Sequence, residues 1–227
     1  MSERKGKRPY RSAVRDAAAA ETRRRIVSAA SELFLGQGFT RTTTRAVAAQ
    51  AGVTERTLFL NFPSKAALLS ACIRTAVRGG AETVPMLERE EWHRALVGEP
   101  DQIFRLLSEA TTRLFERAAR LLALGEAAAS DDSLLEDERR RGHAATRADL
   151  LEVARAMERA GILGHGISAE QAADAIFALA ANERLYLRLV EDCGWTSAAY
   201  TCMLERTIRG AVGHTAPTLA EPPPCDD

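Results

Sequence analysis

The apolar positions of this chain recur at intervals of three and four residues, and nowhere do they alternate as a half-buried strand requires. Ile26, Ala30, Leu33 and Phe34 set that spacing over about residues 16–37, and Gly38 followed by Phe39 predicts a left-handed helix end with its apolar contact. Two short helices come next. Val47, Ala48 and Ala51 share one face, Gly52 interrupts, and Leu58 and Phe62 resume an apolar face after Thr54. Thr43 and Thr54 stand where a hydroxyl accepts from the first free backbone N–H groups of each helix, and Gly52 tolerates the left-handed turn between them. The spacing is that of a helix-turn-helix. Pro63 and Ser64 then open a fourth helix carrying Ala67, Leu68, Ala71 and Cys72 to about Val77.

Beyond it, Gly79 and Gly80 break the pattern, and residues 81–99 read as a long connection with a short helix over about 88–96. Phe104, Leu107, Leu114, Leu121 and Leu122 predict a helix over 101–129, and a second long helix follows over about 131–160, ended by Gly161. Ser168 and Gln171 form a capping box opening a helix to about Cys193, and Thr196 caps the last helix, to about Val212. The predicted fold is all-α: a three-helix helix-turn-helix module followed by a larger helical bundle. The boundaries expected are a basic arm over 1–14, the DNA-binding module over 15–66, the larger domain over 67–213 and a proline-containing tail over 214–227. Arm and tail carry too little apolar surface to stay folded.

Charge sharpens this division. The 227 residues balance 31 Lys and Arg against 31 Asp and Glu, yet residues 1–75 hold 14 basic and 5 acidic groups and the remainder 17 and 26. A head of +9 on a body of −9 suits a protein that holds a polyanion at one end, and the arm's Arg4, Lys5, Lys7, Arg8 and Arg11 offer a further phosphate or minor-groove contact or a silent tail. Arg23, Arg24 and Arg25 on the first helix read as phosphate contacts or as a solvated face. The outer face of the second short helix presents Glu55, Arg56, Thr57, Leu60 and Asn61, side chains suited to base edges in a major groove. Lys65, beside a helix amino terminus, reads as a phosphate contact.

Other chemistry finds little support. Cys72, Cys193, Cys202 and Cys225 make no CxxC pair and read as reduced structural thiols. Glu90 and His93 supply one Glu-x-x-His where a di-iron bundle needs two, and His143 has Arg140 at the matching position. Gly161, Gly164 and Gly166 lie between helices and read as turn glycines. No catalytic residue, metal or cofactor is expected, nor a signal peptide or membrane span, and the expected location is the cytoplasm. A small-molecule chamber in the larger domain would be lined by Trp92, Phe104, Phe115, His143, Met157 and Phe177, which read equally as core. A wide apolar face on the helix after Ser168, with Ile176, Leu179 and Tyr186, joins Met203, Leu204, Ile208 and Val212 of the final helix as the expected two-fold interface, unless one chain buries both.

The ordered run from FLGQGF through the threonines before AVAAQAGVT to FPSKAALL, about residues 26–69, resembles the DNA-binding domain of the TetR family of transcriptional regulators. The resemblance implies a homodimer reading a roughly palindromic double-stranded operator, most often a repressor released by a small apolar effector. By the same resemblance the helix beginning at Lys65 links the two domains, and Thr43, Thr44, Arg45, Thr54, Glu55, Arg56, Thr57, Phe59, Asn61 and Lys65 are its DNA-contact set. Two positions depart from the pattern: Phe59 stands where the family usually has Tyr, and Asn61 where it often has His. The rival reading is an all-α small-molecule-binding protein or enzyme with a vestigial helix-turn-helix.

Overall fold

The structure is a computed structural model and describes residues 10–79, 90–97 and 102–213. Every regular element among them is helical: α1 Tyr10–Arg41, α2 Thr44–Gln50, α3 Glu55–Asn61, α4 Lys65–Arg78, α5 Glu90–Val97, α6 Gln102–Ala129, α7 Ser133–Arg159, α8 Ala169–Ala180, α9 Glu183–Leu187 and α10 Ser197–Ala211, with a π-helical turn over Arg188–Asp192. The chain divides into two compact units, Met1–Cys72 and Ile73–Asp227. The basic stretch before residue 10 and the tail from His214 lie outside the described residues. Residues 10–14, expected in the arm, are instead helical backbone, because Ala17–Ala20 downstream are strong helix formers and each residue added to a helix gains a hydrogen bond.

In the first unit the core is Ile26, Ala30, Phe34, Val47, Leu58, Phe62, Leu68 and Leu69. Helix α1 is broken at Gly38, whose φ of 81° lies in the positive region open to glycine and whose ψ of 169° takes it out of the helix. Phe39 then turns back, its ring centroid 5.8 Å from that of Phe34. The hydroxyl of buried Thr42 donates to the carbonyls of Gly38 (2.8 Å) and Leu33 (3.2 Å), closing the break. The expected caps are present: Thr43 Oγ1 accepts from Ala46 N, Thr54 Oγ1 from Thr57 N and Ser64 Oγ from Ala67 N, each at 3.0–3.1 Å. Gly52 joins α2 to α3 at φ 64°.

The second unit packs α6 against α7, α9 and α10, with α8 between α7 and α10. Its core includes Trp92, Phe104, Phe115, Met157, Ile176, Tyr186, Tyr200, Leu204, Ile208 and Val212. Gly164 N donates to Val212 O at 2.9 Å, and a Cβ on Gly164 would lie 2.6 Å from Gly213 O, so only glycine lets the α7–α8 connection close on the end of α10. The capping box at Ser168 and Gln171 forms as expected. The long helix expected after it does not. It stops at Ala180, and Asn182 Oδ1 accepts from Leu185 N to start α9 afresh before the π-helical turn. In one straight helix Ile176 and Tyr186 would point about 80° apart; the break re-aims the chain so that both enter one core. The broad apolar stripe therefore reflects a change of direction.

Candidate functional site

Helix α3 is held from behind and left bare in front. Leu58 is fully buried and Phe62 nearly so, while Glu55 and Arg56 are exposed, Phe59 is 47% exposed and Leu60 79%. Arg23 and Arg25 of α1 act as cross-ties. Arg25 donates to the carbonyls of Ala51 (2.8 Å) and Gly52 (3.2 Å), where the last carbonyls of α2 favour a cation. Arg23 donates to Asn61 O at 3.0 Å with its guanidinium 4.2 Å from the Phe62 ring centre. Both fix the angle between α1 and the helix-turn-helix, and Arg24 pairs with Glu21 on the outside.

The expected contact residues fall into two groups. Arg45, Glu55 and Arg56 stand on the exposed surface of the same module without a hydrogen bond or ion pair to any described residue. Thr43 and Thr54 are spent as helix caps. Thr54 Oγ1 also lies 2.9 Å from Thr57 Oγ1, and Asn61 Nδ2 donates to Thr57 O at 2.9 Å, so Thr57 and Asn61 are engaged within α3. Thr44 is half-buried. Lys65 departs most from its expected role. Its ammonium donates to the carbonyls of Phe39 (3.0 Å), Thr42 (3.3 Å) and Thr40 (3.4 Å) and sits 4.3 Å from the Phe39 ring centre. Three donors meet three acceptors, leaving no N–H for a phosphate.

In the second unit, four of the six expected chamber residues, Trp92, Phe104, Phe115 and Met157, are buried in the core, with Phe177 packed at its edge. His143 meets Phe177 edge-on at 5.5 Å, and its Nδ1 lies 3.3 Å from Arg139 Nη1. Burial, then the Arg139 charge, lowers its pKa below the usual histidine value. Arg139 and Arg140 hold the Glu136 carboxyl down at about 2. Two groups went unread in the sequence: Ser108 Oγ and Tyr200 OH are buried without a hydrogen-bond partner among the described residues. Ser108 repeats with Phe104 and Phe115 on the inner face of α6, so the helical spacing alone could have marked it as a polar group in an apolar stripe. Tyr200 lies 4.9 Å ring to ring from Tyr186 and 6.4 Å from Phe115, and burial raises its pKa.

Of the expected interface residues, Ile176, Leu204, Ile208 and Val212 are fully buried inside the single chain and Tyr186 is 6% exposed. A side chain with no exposed area left has none to bury against a partner. Leu179 and Met203 keep partial exposure.

Residues 26–72 match the family of bacterial regulatory proteins described as the tetR family. No curated protein matches the chain in sequence. Among solved structures, a TetR-family transcriptional regulator from Rhodococcus sp. is 17% identical with a TM-score of 0.65, over 85% of this chain and 99% of that one. NalD of Pseudomonas aeruginosa, the secondary repressor of the MexAB-OprM multidrug efflux pump, is 21% identical with a TM-score of 0.63, over 86% of this chain and 98% of its own. The helix-turn-helix built by Thr43, Gly52 and Thr54 therefore carries the match to the tetR family of bacterial regulatory proteins over residues 26–72, and nearly the whole chain shares the fold of solved TetR-family regulators.

Proposed function

We propose that this protein is a cytoplasmic, non-enzymatic transcriptional repressor that binds a roughly palindromic operator as a homodimer and is released by a small, largely apolar effector. The observation that carries the DNA half of the reading is the exposed face of α3, with Arg56 free, on a capped module whose arginines tie it rigidly to α1. A dimer would bring two such helices into successive major grooves, about 34–36 Å apart. Repression is supported by the kinship of fold with NalD.

The effector half rests on the buried, unpartnered hydroxyls of Tyr200 and Ser108 within the aromatic core of the second unit. A buried polar group without a partner is uncommon in a folded protein, and a ligand carrying one or two hydrogen-bonding groups on an apolar body would satisfy both. Such a ligand acts by binding the DNA-incompetent head spacing more tightly than the competent one. The dimer is supported by the partly exposed apolar side chains of Leu179 and Met203 on α8 and α10.

The test is titration of the purified protein against the DNA upstream of its own gene at increasing salt. Specific binding whose log affinity falls linearly with log salt is expected; no binding at low salt would overturn the reading. Tyr200→Phe should keep operator binding and change the response to whichever effector releases the protein.

A further inference from the structure

The face that α3 offers to a base pair is narrower than its sequence suggests. Thr57 and Asn61 are engaged within the helix, and Thr54 caps it. With Leu58 fully buried and successive residues turning by about 100°, Arg56 and Leu60 lie within about 20° of the direction opposite Leu58, one on each side. They are the two most outward-pointing residues of the helix, one turn apart. Leu60, at 79% exposed, is the barest of the large hydrophobic side chains among the described residues. Burial does not account for its being apolar, and it stands in the basic first third of the chain, the +9 head that suits a polyanion.

One group on the edge of duplex DNA in the major groove is apolar, the C5-methyl of thymine. Resting on the reading that α3 enters a major groove, we infer that Leu60 is a specificity-determining residue that packs against a thymine methyl in each operator half-site. Arg56, four residues earlier, stands about 6 Å along the helix axis, close to two base-pair rises of 3.4 Å, so the thymine lies about two base pairs from the pair that Arg56 meets. From α3, the half-site is read by one cation and one methyl contact in tandem.

The test uses the full-length protein and an operator selected by it from a random-sequence duplex pool. Each thymine is replaced in turn by deoxyuridine, which removes the methyl and leaves every hydrogen-bonding group in place. At one thymine per half-site the replacement should weaken binding about fourfold, the worth of one buried methyl-sized group. Leu60→Ala removes the contact from both half-sites of the homodimer, so it should bind the thymine operator as weakly as the unaltered protein binds an operator with uracil at that position in both half-sites, about sixteenfold, and should be indifferent to the replacement. Leu60 is 79% exposed, so circular dichroism and melting of the variant should be unchanged. If every replacement is neutral, or if Leu60→Ala retains the full penalty, the inference fails while the regulator reading stands. Failure to select any sequence, with no salt-dependent binding, would overturn the regulator reading and this inference together.

Discussion

The ammonium of Lys65 lies 3.0 Å from the carbonyl oxygen of Phe39 and 4.3 Å from the centre of the Phe39 ring, bridging the start of α4 to the chain just after the break in α1. A lysine beside a helix amino terminus in a DNA-binding module invites a phosphate assignment, and the geometry gives it a structural one. Lys65→Met should lower the stability of the module by about 1.5–3 kcal/mol, the range for hydrogen bonds to a charged group. In variants still folded at low temperature, the slope of log affinity against log salt should be unchanged. A slope reduced by about 1 would show that Lys65 neutralises a phosphate after all.

Arg45 is exposed in the first turn of α2 and has no partner among the described residues, so its guanidinium is available for bidentate contact with guanine. Arg45→Ala should cost about 1–3 kcal/mol of operator binding and relax preference at one base pair per half-site, read by competition with single-base operator variants. An equal loss on every sequence would make Arg45 a phosphate contact.

Phe59, nearly half exposed beside Leu60, lacks the hydroxyl of the tyrosine that the family resemblance leads one to expect there. With the Lys65 ammonium engaged elsewhere, Thr44 of the expected DNA-contact set is left as a substitute phosphate donor. Phe59→Tyr should tighten binding by about 1 kcal/mol, the net worth of one added hydrogen bond. Weaker binding would mean that no phosphate lies within reach of this side of α3.

The subunit contact is best probed at Leu179 and Met203, since Ile208 is sealed inside one chain. Ile208→Glu should unfold the second unit, because it buries an unpaired charge at a cost of several kcal/mol. Leu179→Glu combined with Met203→Glu should keep the helical circular dichroism, give monomers by light scattering and bind a half-site only weakly, since linked engagement is lost. A folded double variant that stays dimeric would put the interface elsewhere.

The pH response of the second unit should show two separate windows. His143 has a folded pKa below its unfolded value near 6.5, so the unfolded chain binds the proton first and stability falls as pH drops below about 6.5. His143→Gln should flatten the dependence of melting temperature on pH between 7.5 and 5.5. Glu136, held at about 2 by the hydrogen bonds of Arg139 and Arg140, acts lower: its contribution is present above about 4.5 and is lost as pH falls towards 2. A slope above pH 5.5 that survives His143→Gln would assign the upper window to another group.

What the sequence by itself determined was everything set within a turn or two of helix. Thr43, Thr54, Ser64, Ser168 and Thr196 each cap the helix they precede, and Gly52 and Gly161 adopt positive φ where the patterns end, because a cap or a turn is decided by neighbours three or four residues away. The apolar periodicity likewise marked most of the core and the outward face of α3. Only the tertiary structure decided the fate of the polar side chains. Lys65 finds carbonyls 23 to 26 residues back, Arg23 finds one 38 residues on, and Thr112 meets Thr201 across 89 residues, none with a local signature. It also decided which apolar residues remain for a partner. The break at Ala181 and Asn182 turns Ile176 and Tyr186 into the same core, and periodicity read along an unbroken helix has no means of registering a change of axis.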